Sequence, residues 1–144
     1  MQRLTKLLLL SLLLCLLPSG ACAQKSARSS APKSTDDAIG RAFASRRSNI
    51  QVEGEGKVNR VLADDLSGGR HQRFIVELAS GQTVLIAHNI DIAPRVEELA
   101  VGDRVRFSGE YVWNEKGGLI HWTHHDPQGR HVAGWIIHNG KTYN

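Results

Sequence analysis

The chain has 144 residues, with 18 lysines and arginines against 14 aspartates and glutamates, and a sequence pI of about 9.4. The excess base sits outside the region that reads as folded: ten basic and twelve acidic residues, with all seven histidines, lie from Ile50 onward. A general polyanion binder needs many phosphate-neutralising cations, so this balance argues against strong generic DNA binding, and any anion recognised there must meet a local cluster.

Residues 1–23 have the layout of a secretory signal peptide. Arg3 and Lys6 precede the apolar run LLLLSLLLCLLP from Leu7 to Pro18, and Ala21-Cys22-Ala23 precedes an expected cut before Gln24. The run is too short to span a bilayer comfortably, so the mature chain is expected to be exported, periplasmic or secreted, with no membrane contact after signal removal. Lipid modification at Cys22 fits poorly, because Ser19 stands where such signals prefer leucine. Both cysteines, Cys15 and Cys22, fall in the removed segment, so the fold must be held by an ordinary core or a bound metal rather than by disulfides.

Residues 24–34, QKSARSSAPKS, read as a flexible tether. Residues 35–48 predict a short amphipathic helix, capped at Ser34 or Thr35, with Ile39 and Phe43 on one face and Arg46 and Arg47 at its end. Its expected role is to plug one end of the domain at residues 49–144. There the period changes to two. IQVEGEGKVNRVLA, QRFIVELA and TVLIAHNI form a three-stranded meander, with Phe74, Val76 and Leu78 on one face and Arg73, Ile75 and Glu77 on the other. PRVEEL reads as a connector, and RVRFSGEYVW and LIHWTHH as two further strands. Three strands, a connector and two strands, with glycines at Gly54 and Gly56 that let the first strand coil, predict a mainly β fold. It is a small five-stranded OB-like barrel with a short N-terminal helix, and an SH3-like barrel is the alternative.

The segments RHQRFIV, TVLIAHNID, GEYVWNEKGG and IHWTHHDPQGRHVAGWIIHNGKTY resemble the small exported bacterial proteins grouped as domain of unknown function 3465. The resemblance covers nearly all of the chain from about Asp36 and implies no activity.

The chemistry concentrates in HWTHHDPQGRH, residues 121–131. If LIHWTHH is extended, His121, Thr123 and His125 share an outer face, while Ile120, Trp122 and His124 point to the core. Two histidines four residues apart on a strand stand about 13 Å apart, too far to share one metal. A divalent metal such as zinc would therefore need His124 or His125, Asp126 and His131 folded around the turn. For catalysis, His121, His125 and His131 are candidate general acids or bases. Asp64, Asp65 and Asp126 as nuclease ligands, or Asn139 in an HNH-like site, match no full motif.

The scaffold reading takes Asp126 before Pro127 as a turn former and His88, on the face of Val84 and Ile86, as a buried and satisfied histidine. It leaves the polar density unexplained. The favoured expectation is a binding module, with no cofactor, for a small anionic or polar ligand such as an oligonucleotide or glycan. Its groove would be lined by Arg70, His71, Arg73, His121, Thr123, His125, Arg130 and His131. The alternative is a metal-assisted hydrolase or nuclease using His121–His131. The sequence leaves the oligomeric state open.

Overall fold

The computed structural model describes residues 36–144. The expected signal peptide, its cleavage point, the tether and the helix cap at Ser34 or Thr35 lie outside those residues. Helix α1 spans Asp36–Ala44, and the strands are β1 Ile50–Val61, β2 His71–Leu78, β3 Thr83–Asn89, β4 Arg104–Val112, β5 Leu119–His121, β6 Trp135–His138 and β7 Lys141–Tyr143. Among the described residues no helix is long and apolar enough to cross a membrane.

The strands β1-β2-β3-β5-β4 close into a barrel through a β1–β4 pairing, with β3 and β5 parallel and the other pairs antiparallel. This is the five-stranded Greek-key closure of an OB-type barrel. The long first strand serves two neighbours: Gly56 pairs with Leu78 on β2 and with Val105 on β4. A Cβ at Gly56 would strike the Glu77 carbonyl, and one at Gly54 would strike the Phe107 ring, so the bend demands glycine at both positions.

Alternation sorts the side chains as the sequence pattern anticipates. Phe74, Val76 and Leu78 on β2, Val84, Ile86 and His88 on β3, and Val105, Phe107 and Tyr111 on β4 are buried. Burying each such large apolar side chain contributes about 1.5–3 kcal/mol. Helix α1 ends at Ala44, short of residue 48, because Arg46 takes a left-handed φ of 53°. Ile39 is buried in the same core, beside Gly54 of β1 and Phe107 of β4, and Phe43 packs at its edge.

The expected fifth strand is where the structure departs from the sequence reading. LIHWTHH does not run straight: β5 stops at His121, and Trp122 turns out of the strand with a left-handed φ of 52°. Pairing with β4 resumes after thirteen intervening residues, since His121 sits opposite Glu110 and Trp135 opposite Ser108, with only Gly109 between them on β4. The fifth strand is thus one strand interrupted by a loop, residues 122–134. A Cβ at Gly134 would meet the carbonyls of Trp122 and Ser108, so the loop's two ends come together there. Strand β6 then pairs with β7, a terminal hairpin that the two-strand expectation did not contain.

Candidate functional site

The outer face of the barrel is ordered in cross-strand rows. Arg73 pairs with Ala87 and His121 with Glu110, and the parallel register Leu85–Leu119, Ile86–Ile120, continued by one residue, sets Ala87 beside His121. Arg73, Ala87, His121 and Glu110 therefore form one row across β2, β3, β5 and β4. Strands lie about 4.8 Å apart, so Arg73 and His121 stand about 10 Å from each other at their Cα atoms, with the small Ala87 as the floor between them. His71 begins β2 on the same outer face, paired with Asn89.

The interrupting loop folds back onto this row. His121 Nε2 lies 3.3 Å from Glu110 Oε1, and His131 Nδ1 lies 3.9 Å from Glu110 Oε2. The three side chains are 34%, 33% and 24% exposed for His121, His131 and Glu110, enough to meet a ligand without leaving their places. His131 also stacks on Trp122, with ring centroids 3.7 Å apart and planes 20° from parallel. Burial pushes the His121 imidazole below its usual range. The Glu110 carboxylate opposes that shift, and the charges of His131 and His71 add to it, so both imidazoles lie within electrostatic reach of His121.

Asp126 is what shapes the loop. Its carboxylate accepts hydrogen bonds from the backbone N–H groups of Gln128, Arg130 and His131, at 2.9, 2.6 and 2.8 Å, which hold its pKa below the usual carboxylate range. The scaffold reading of Asp126-Pro127 holds for this residue, and through it the loop presents His131. His124 is buried, and its Nδ1–H donates to the His125 carbonyl, while His125 itself is exposed. Among the described residues no group of three or more histidine, cysteine, aspartate or glutamate side chains is placed to hold a metal ion. The proposed set His124, His125, Asp126 and His131 is accordingly spread between a buried clasp, a solvent-facing ring, a backbone cap and the Glu110 contact.

Thr123 is a correction. Because the chain twists at Trp122, Thr123 turns inward and is fully buried, bonded to His88 rather than facing a groove. Trp122, expected in the core, lies half-exposed against His131 for the same reason. His88 behaves as anticipated. Its Nε2–H donates to the Pro94 carbonyl, so its Nδ1 is bare and accepts from the Thr123 hydroxyl, and burial pushes its pKa down to about 4.

The arginines are engaged locally. Arg70 pairs with Asp91 at 2.6 Å. Arg73 donates to the Ala63 carbonyl from Nε and a terminal nitrogen, at 3.1 and 3.0 Å, and lies 3.8 Å from Asp65. Arg130 is exposed on the loop beside Asp126.

Glu110, the residue on which His121 and His131 converge, was missed by the sequence reading. Strand parity alone puts it outward, since Val105, Phe107 and Tyr111 of the same strand are buried. Its partners follow only from the pairing with β5. A groove of about 630 Å³ lies elsewhere, between β1, β2 and the 101–104 segment. Its rim is self-paired, Arg104 with Glu55 and Asn59 with Glu77, and none of the histidines lines it.

The family model described as "Protein of unknown function (DUF3465)" matches residues 22–144. Comparison with curated proteins finds no match.

Proposed function

From the membership of this chain in the DUF3465 family, which carries no activity over to it, we propose that it is an exported binding module for a small polar ligand. The ligand would be held on the outer barrel face by His121, His131 and Glu110, with His71 and Arg73 at the far side of the Ala87 floor. The observation that carries this reading is the interruption of the fifth strand. A barrel needs no thirteen-residue excursion to close, and this one returns an imidazole to a carboxylate already facing another imidazole. Compact loops with closed ends, packed by their own side chains, are frequently functional.

The charge arrangement favours a hydroxyl-rich ligand, a glycan, over an oligonucleotide. Arg70 and Arg73 have carboxylate neighbours, and the centre of the cluster is itself a carboxylate, which disfavours phosphate. Neutral sugars are bound by carboxylate and imidazole hydrogen bonds of this kind.

The test is a thermal-shift series with neutral oligosaccharides and with short oligonucleotides on the folded chain. A saccharide that raises the melting temperature in proportion to its binding, and ceases to do so in Glu110→Gln and His121→Ala, supports the reading. Stabilisation by oligonucleotides alone reverses the choice of ligand. The competing reading, a metal-assisted hydrolase with His121, His125 and His131 as catalytic groups, draws on the His121–Glu110 contact, an imidazole–carboxylate pair suited to general base work. Hydrolysis that appears with zinc and disappears on chelation would establish it instead.

A further inference from the structure

One strand step from the polar row lies a second outward row. Ile75 pairs with Leu85, Leu85 with Leu119, and Leu119 with Val112, so four aliphatic side chains from β2, β3, β5 and β4 stand side by side. All four are half-buried, none belongs to the barrel core, and each keeps part of its surface open to solvent. Their inward neighbours Phe74, Ile86, Ile120 and Tyr111 already fill the interior, so the fold does not need these positions apolar. With three strand spacings of about 4.8 Å, the row is about 14 Å long, and it runs parallel to the polar row about 7 Å away.

We propose that the two rows form a single site for a neutral-headed amphiphile. The hydroxyl-bearing head would sit on Glu110 and His121, and an alkyl chain would lie along Leu119, Val112, Leu85 and Ile75. The proposal rests on the polar-ligand reading above and names its ligand class. Charge chooses the head. The arginine of the polar row, Arg73, is held by the Ala63 carbonyl and Asp65, which leaves a carboxylate between two imidazoles as the group a head would meet. Hydroxyl donors fit that acceptor, and a sulfate or phosphate head is repelled by it. Geometry chooses the tail. A sugar ring on Glu110 and His121 leaves the aliphatic row wet, whereas a linear hydrocarbon chain matches a row of Ile, Leu, Leu and Val in length and chemistry.

The experiment uses the folded chain with octyl glucoside below its micelle concentration, read by calorimetry and by chemical shifts of the Leu85 and Leu119 methyl groups. Glucose, hexyl glucoside and octyl sulfate serve as comparisons. The expected result is that octyl glucoside binds and glucose binds far more weakly, with affinity falling by up to about fourfold for each methylene removed. Val112→Thr, which keeps the shape of the side chain, and Leu119→Ser should flatten that dependence on chain length. Glu110→Gln should weaken every glucoside alike. Circular dichroism establishes that each variant is folded, and Val112→Thr keeps the test open if Leu119→Ser is not.

Glucose binding as tightly as octyl glucoside overturns the amphiphile proposal and leaves the polar-ligand reading standing. Octyl sulfate binding as tightly as octyl glucoside overturns the choice of head. If neither the saccharide series above nor any amphiphile binds, both readings fail. If Leu119→Ser instead abolishes a dimer seen by light scattering, the aliphatic row is a contact between copies of this chain, and the amphiphile proposal is wrong.

Discussion

His88 and His121 lie on adjacent strands, β3 and β5, one residue apart in register, and they face opposite sides of the sheet. His88 is fully buried, both ring nitrogens are engaged by protein atoms, and burial pushes its pKa to about 4. His121 is a third exposed and touches a carboxylate that a second imidazole also approaches. One ring pins the β3–β4 connector to the interrupting loop, through Pro94 on one side and Thr123 on the other. The other stays partly open to solvent. A count of histidines therefore says little about a site, and the solvent access of each ring says most of it.

The largest effect is expected at His88. His88→Ala removes a buried ring and strands the Pro94 carbonyl and the Thr123 hydroxyl, so it should cost about 3 kcal/mol or more by chemical denaturation. A loss below about 1 kcal/mol would mean that the clasp is not structural. His88 also sets a pH dependence. Above pH about 6.5 the ring is neutral in both states and its contribution to stability is constant. As the pH falls towards about 4, the unfolded chain takes up a proton that the folded ring refuses, so up to about 3 kcal/mol is lost through that window. Urea unfolding across pH 7 to 4, with His88→Gln as the reference, isolates this contribution. Parallel curves for the two proteins would remove it.

At the loop the expected effect is local. Asp126→Ala leaves three backbone donors without their acceptor, so hydrogen exchange at Gln128, Arg130 and His131 should quicken while the core amides stay protected. Ligand binding should weaken because His131 loses its fixed position. Uniform acceleration across the barrel would mean instead that the loop supports the whole fold. The smallest stability effects belong to the outer row. His121→Ala should change stability by about 0.5 kcal/mol. Arg73→Ala should cost about 1 kcal/mol, because its bonds to the Ala63 carbonyl are lost. Both should reduce binding well beyond those costs, and binding that survives both substitutions moves the site elsewhere.

Much of the barrel was readable along the chain because strand alternation is a local property. Phe74, Val76, Val84 and Ile86 announce their faces by period two, the glycines at 54 and 56 mark where β1 must coil, and His88 inherits its burial from its neighbours. The same rule failed at Trp122. Extending the alternation past His121 assumed a continuous strand, and so Thr123 was placed outward and Trp122 inward, the reverse of what the structure holds. Nothing local announces that break. It depends on Gly134 closing against the Trp122 carbonyl, twelve residues away, and the Ser108 carbonyl on β4, and on Asp126 gathering three amides.

By itself, then, the sequence determined which residues of β2, β3 and β4 face the core, that five strands would close a small barrel, and that the polar chemistry gathers in residues 121–131, since each follows from periodicity and composition. Only the tertiary structure decided that His131 returns to the outer row, that Glu110 stands between it and His121, and that an aliphatic row lies beside them. The physical reason is that these neighbours come from different strands, and the register between strands is set by hydrogen bonds and packing across the sheet rather than by any interval along the chain.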